Sequence, residues 1–106
     1  MKHEHIDLEE FKERMEEGGY ELVDLRTPVE FETGHLEGAY NIDFTAPEFM
    51  AILEKMDKNK KYLLYCRTGN KSEQTLDMMK EKGFKESYNM VGGIVDWSDE
   101  GYDVVK

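Results

Sequence analysis

The sequence predicts an α/β fold with a mainly parallel sheet flanked by helices on both faces, and three observations support it. Short apolar runs bounded by glycine or proline, too brief for helices, alternate with stretches whose apolar residues recur at helical spacing. Several of the helical stretches open on capping side chains and close on glycine. Runs as apolar as Leu22-Val23 and Tyr62-Leu63-Leu64-Tyr65 suit strands covered on both sides, as strands joined by helical crossovers are.

In chain order, Asp7 stands as an N-cap with Glu10 three residues later, and Leu8, Phe11 and Met15 share a face before Gly18, which predicts a helix from Leu8 to Glu16. Glu21 to Leu25, between Gly19 and Pro28, reads as a buried strand. Thr27-Pro28-Val29-Glu30 is a capping box with proline in the first turn, opening a short helix through Phe31 that Gly34 ends. A second such box, Thr45-Ala46-Pro47-Glu48, introduces Phe49, Ile52, Leu53 and Met56 on one helical face. Lys61 to Tyr65 is the strongest strand pattern and runs directly into Cys66 and the polar turn Arg67-Thr68-Gly69-Asn70. A helix follows from Lys71 or Ser72, with Leu76 and Met79 inward and Gly83 as its C-cap. Glu86 to Asn89 reads as a strand, and Gly92-Gly93 opens a final helical turn holding Ile94 and Trp97 before Gly101. Tyr62, Tyr65, Tyr88 and Trp97 are expected in or at the edge of the core, with Met78 and Met79 partly in it.

The 106 residues show no repeat, low-complexity tract or linker, which predicts one domain over residues 1–106. With 39% hydrophobic residues against 36% charged, the chain is polar yet carries enough apolar and aromatic side chains to build a core. A formal charge of −10 opposes phosphate backbones and anionic lipid, so neither nucleic acid nor a membrane is an expected partner. Met1 to Glu10 has no apolar run that would make a signal peptide or span, and the expected location is cytoplasmic. His3 and His5, in an N-terminal stretch expected to be mobile, lack a third fixed ligand, so no metal is predicted. The acidic runs Glu9-Glu10 and Asp99-Glu100 read as solvated surface.

The chemistry centres on the one cysteine, Cys66. A strand-turn-helix passage places it beyond the carboxyl end of a strand, where open α/β sheets bind ligands. Gly69 and Asn70 tolerate left-handed backbone, so the turn can curl its N–H groups toward the sulfur. The N-terminus of the next helix, Arg67 and Lys71 add positive potential, and all three effects favour thiolate over thiol. A buried, inert cysteine at a strand end needs no cationic, glycine-bearing turn after it. No second thiol is available to resolve a modified Cys66 within the chain, so any thiol relay runs through a partner molecule.

The segment Cys66-Arg67-Thr68-Gly69-Asn70-Lys71-Ser72 resembles the rhodanese active-site loop: cysteine, two variable residues, glycine, a variable residue, a basic residue and a small one. Asp24-Leu25-Arg26, the stretch from Gly34-His35 to Asn41-Ile42, and Gly92-Gly93-Ile94 with Trp97 and Gly101-Tyr102 are similar to the family's other signatures, in the same order. The resemblance runs from about Asp7 to Val105 and implies a rhodanese fold and a double displacement through a cysteine persulfide. Cys66 would be the catalytic nucleophile and Arg67, Thr68, Gly69, Asn70, Lys71 and Ser72 the substrate-binding loop. Thiosulfate or a similar small molecule would donate sulfur, and a thiol, an acceptor protein or cyanide would receive it, with no cofactor implied. Two departures stand out: Lys71 replaces the family's usual arginine, and Asp103 stands where proline often follows glycine-tyrosine.

Asp24 and Arg26 are expected to brace the loop as an internal pair, and His35 to brace the fold through backbone hydrogen bonds rather than serve as a base, since a preformed thiolate needs none. Two other functions compete. A cysteine-dependent phosphatase or arsenate reductase would need a longer loop with its anion-clamping arginine where Ser72 stands. A non-catalytic binding or redox-sensing module is the other alternative, although degenerate modules usually lose the cysteine.

Overall fold

The computed structural model describes residues 1–106 as ten elements in the order β1 (Lys2–Ile6), α1 (Leu8–Glu17), β2 (Tyr20–Asp24), α2 (Pro28–Thr33), β3 (Tyr40–Asn41), α3 (Phe49–Lys55), β4 (Lys61–Tyr65), α4 (Asn70–Glu81), β5 (Glu86–Met90) and α5 (Gly93–Asp99). The strands form one sheet in the order β1-β5-β4-β2-β3, and every pair is parallel. This is the α/β architecture that the alternating pattern predicted.

Side-chain alternation along the strands divides the core in two. Tyr62 and Leu64 of β4 join Val23, Phe49, Leu53, Leu76 and Met79 beneath α3 and α4. Leu63 and Tyr65 point the other way, to Phe11, Tyr88, Ile94 and Trp97 beneath α1 and α5. Cys66 continues the Tyr62–Leu64 alternation and belongs to the α3–α4 side. The chain steps outward from β2 to β3 and then, in the opposite sense, from β4 to β5, so the order reverses between β2 and β4. The carboxyl ends of those two neighbours flank the crevice where such sheets bind ligands.

Local signals explain most element ends. Asp7 accepts from the Glu10 amide at 2.9 Å to start α1. Thr27 and Glu30 form the reciprocal capping box of α2, and this helix continues to Thr33 before Gly34. Gly69 begins α4, so that helix starts at Asn70, slightly earlier than the polar turn suggested. Tyr62, Tyr65, Tyr88 and Trp97 are all buried, as is Met79. No helix is long and apolar enough to cross a membrane.

Two expectations are corrected, and one element is added. The N-terminal stretch is strand β1, paired with β5 from Lys2↔Glu86 to Ile6↔Met90. It escapes notice in the sequence because, among its residues, Ile6 alone is a buried apolar one. The Thr45–Glu48 capping box does not form. Asp43 captures both the amide and the hydroxyl of Thr45, at 2.9 and 2.7 Å, and α3 starts at Phe49 without a side-chain cap. Between them, β3 adds a two-residue strand that no periodicity could announce.

The start of α5 is fitted against the exit of β4. The amides of Ile94 and Val95 donate to the carbonyls of Cys66 and Arg67 at 3.0 and 3.1 Å, and a Cβ on Gly93 would lie 2.5 Å from the Cys66 carbonyl oxygen. Gly101, also left-handed, has nothing within 4 Å of the same position. Gly101→Ala should therefore cost only backbone strain, about 1 kcal/mol. Gly93→Ala adds a backbone collision and should cost about 3 kcal/mol or more. Urea unfolding of both variants checks the contrast, and equal losses would mean that the contact with the Cys66 carbonyl is easily relaxed.

Candidate active site

The sulfur of Cys66 sits at the end of β4 with its residue 3% exposed. The Gly69 amide donates to it at 3.2 Å and the Ser72 amide at 3.4 Å, and the Ser72 hydroxyl lies at 3.4 Å. Gly69 is what allows the chain to turn back so tightly. Its φ is 102°, and a Cβ there would press on the Gly92 amide at 3.2 Å. Ser72 lies in the first turn of α4, so the helix's positive end faces the sulfur.

The six loop residues divide into two groups. Gly69 and Ser72 are buried and touch the sulfur. Arg67, Thr68, Asn70 and Lys71 are exposed and, with Cys66, Arg26 and Glu30, line a cleft of about 180 Å³. The amides of Thr68, Asn70 and Lys71 have no hydrogen-bond acceptor in the protein, leaving orphan donors beside this cleft. The cleft therefore offers a small anion free N–H groups and three cationic side chains, against one carboxylate. That carboxylate, Glu30, is held below its ordinary pKa first by the Thr27 backbone N–H, with Arg26 and Lys71 contributing positive charge.

Asp24 and Arg26 come together at the carboxyl end of β2, next to β4. Asp24 is fully buried and takes Arg26 Nε at 3.1 Å, Nη2 at 2.8 Å and the Arg26 amide at 2.9 Å. Arg26 Nη2 also donates to the Gly34 carbonyl at 2.6 Å, tying β2 to the segment after α2. Burial works against the Arg26 charge, and the hydrogen bonds and attraction from Asp24 outweigh it, so the guanidinium pKa is raised. Breaking a buried pair like this one typically costs about 3–5 kcal/mol. Neighbouring Tyr65 is pushed well above the ordinary phenol range, first by burial and then by the Asp24 charge. It accepts from the Leu36 amide at 3.0 Å and stays neutral.

His35 is held away from the sulfur. Its Nδ1 pairs with the Phe31 carbonyl at 2.9 Å, its ring stacks on Phe31 at 3.8 Å, and its backbone exchanges two hydrogen bonds with Val105. It does not line the cleft.

Three residues next to the site were not assigned to it by the sequence, although His5 was weighed, and set aside, as a metal ligand. Glu30 was visible only as half of a capping box. Asn89 of β5 reaches Ser72, and His5 of β1 reaches Asn89, as Ser72 Oγ meets Asn89 Oδ1 and Asn89 Nδ2 lies 3.1 Å from His5 Nδ1. The available signal was the alternation of polar residues, His3 and His5 in one strand and Ser87 and Asn89 in another, which puts each pair on one face.

Comparison with known proteins agrees with this geometry. The model of the Rhodanese-like domain family matches residues 7–100. A probable adenylyltransferase/sulfurtransferase, MoeZ, from Mycobacterium tuberculosis is 34% identical over 74% of this chain and 20% of its own length. A tRNA uridine(34) hydroxylase from Leptospira interrogans is 33% identical over 91% of the chain and 27% of that protein. A putative sulfur carrier protein, YrkF, from Bacillus subtilis is 31% identical over 88% of the chain and 50% of its length. The chain thus spans between a fifth and a half of these relatives. The crystal structure of a rhodanese-related protein from Thermoplasma volcanium superposes with a TM-score of 0.83 at 27% identity, covering 96% of this chain and 97% of that one. With its parallel sheet, its cysteine-centred loop and a family match over nearly all its length, this chain belongs to the rhodanese-like domain family.

Proposed function

We propose that the chain is a sulfurtransferase that carries sulfane sulfur as a persulfide on Cys66. The observation that carries this reading is the Cys66 sulfur facing the Gly69 amide, the Ser72 amide and the Ser72 hydroxyl at 3.2–3.4 Å, at the N-terminus of α4. Donors so placed stabilise a sulfur anion before and after reaction. The orphan amides of Thr68, Asn70 and Lys71 add donors for an incoming anion or an outer sulfur. The names of the MoeZ and YrkF relatives point to sulfur chemistry as well.

With thiosulfate as donor, the Cys66 thiolate attacks the sulfane sulfur, a new S–S bond forms, and the old one breaks as sulfite leaves with its electron pair. An acceptor thiolate, or cyanide in an assay, then attacks the outer sulfur and Cys66 leaves as thiolate. No external oxidant or reductant enters. Because Cys66 is the one cysteine of these 106 residues, an acceptor thiol must come from outside them. We place thiosulfate first among donors for its size and charge, and the reaction needs no cofactor.

Incubation with thiosulfate should add one sulfur atom to the intact mass of the wild type and support thiocyanate release with cyanide, and Cys66→Ser should do neither. No sulfur gain from thiosulfate or from a polysulfide would sink the proposal and leave a binding or redox-sensing module. Lys71 is a compact point charge that cannot grip a sulfonate with two parallel hydrogen bonds. Lys71→Arg should therefore lower the KM for thiosulfate by about threefold, and Lys71→Gln should raise it by about threefold to tenfold, with little change in kcat. Steady-state kinetics on the two variants reads this directly, and a KM indifferent to both would place the donor elsewhere.

A further inference from the structure

The faces of β1 and β5 that turn toward α4 carry polar side chains in register, His3 opposite Ser87 and His5 opposite Asn89. The first pair closes on itself: His3 Nε2 meets the Phe84 carbonyl at 2.7 Å, so this nitrogen carries the hydrogen, and Nδ1 accepts from Ser87 Oγ at 2.6 Å. The second pair leads inward. From the exposed His5, Nδ1 lies 3.1 Å from Asn89 Nδ2, Asn89 Oδ1 meets Ser72 Oγ, and Ser72 Oγ is 3.4 Å from the Cys66 sulfur. Asn89 and Ser72 are both buried, so the line from surface to sulfur is unbroken.

The Ser72 hydroxyl has a single hydrogen and three acceptors within reach: the Cys66 sulfur, the Gly69 carbonyl at 3.3 Å and Asn89 Oδ1. While Asn89 gives its NH2 group to His5, its oxygen faces Ser72 and draws that hydrogen away from the sulfur. Turned over, Asn89 would donate to Ser72 Oγ and release the hydroxyl hydrogen to the sulfur. Whether His5 Nδ1 accepts or donates decides between the two orientations, because an amide cannot present the same end to both neighbours.

We propose that Asn89, oriented by His5, is a positioning residue for Cys66 that governs whether the Ser72 hydroxyl donates to the sulfur. The proposal deepens the sulfur-transfer reading, on which its biological meaning rests. A sulfur given the extra hydrogen bond is a weaker nucleophile when it takes sulfur up and a better leaving group when an acceptor removes it. The Asn89 orientation would therefore set the balance between loading and unloading.

The test reads the sulfur itself, through alkylation of Cys66 by iodoacetamide on the acid limb of its rate–pH curve. There more thiolate means faster reaction, even though each thiolate is individually less nucleophilic. Asn89→Ala removes the competing acceptor and should speed alkylation by about twofold to threefold, one net hydrogen bond's gain in thiolate less the accompanying loss of nucleophilicity. His5→Ala, on the exposed edge strand, should act in the same direction by a smaller factor and carries the test if Asn89→Ala fails to fold. Ser72→Ala should slow the reaction, and in that background neither Asn89→Ala nor His5→Ala should have any effect. A packing role would instead leave the Asn89→Ala effect intact without Ser72, which would overturn the proposal, as would a rate indifferent to His5→Ala. Sulfur loading is assayed separately on the same proteins. Alkylation coupled through Ser72 in a protein that accepts no sulfur would refute the transferase reading alone, and normal transfer with uncoupled alkylation would refute the relay alone.

Discussion

A carboxylate with no solvent contact must be neutralised where it stands, and the Asp24–Arg26 pair organises the carboxyl edge of the sheet around that requirement. Both Asp24 oxygens bind Arg26, whose guanidinium continues to the Gly34 carbonyl. The Asp24 carbonyl accepts the Ile42 amide and, together with the Arg26 carbonyl, the side chain of Asn41. The ion pair thereby joins β2 to the segment after α2, and the backbone of the same two residues holds the short β3. It also leaves Arg26 along the wall of the cleft that holds Cys66. Replacing the pair with apolar residues of similar volume could keep the fold but would remove a positive charge from the cleft.

Across the crevice, the sulfur's surroundings are built from backbone. A loop of few residues can present amides at fixed positions only if its turn is locked from behind, and here α5 does the locking. Its first amides hold the carbonyls of Cys66 and Arg67, while Gly69 and Gly93 let the two segments approach closely. The cationic groups beside the sulfur, Arg67 and Lys71, are exposed side chains by contrast. That positive charge thus stands on exposed side chains, while the donors that face the sulfur are fixed backbone and a buried hydroxyl, an arrangement that would need no rearrangement during a reaction at that atom.

Where the sequence was legible, a short-range signal carried the message. The apolar run of β4, the glycine in the turn after it, the Asp7 cap and the Thr27–Glu30 box each involve residues within a few positions of one another. The Thr45 box shows how such a signal fails: Asp43, two residues earlier, offers a nearer acceptor, takes the Thr45 amide that the box would give to Glu48, and engages the Thr45 hydroxyl as well. What could not be read depends on pairing between distant segments. Nothing near His5 says that it will face Asn89, 84 residues later, and nothing within β1 says that it is a strand until β5 supplies the partner. Ser72 was legible as a member of the loop, but the contest for its hydrogen was not, because the rival acceptor arrives from another strand.

The sheet ends in two modest edges. On one side β3 is two residues long, and on the other β1 carries Lys2, His3, Glu4 and His5 in its five residues. An open strand edge is a template on which a second chain can add, and shortness and charge are the usual deterrents to that kind of self-association. The same polar β1 that hides from sequence reading also makes a poor nucleus for cross-β growth. A chain with these margins can reach high concentration, or sit beside other folded units, with little tendency to recruit further copies through its sheet.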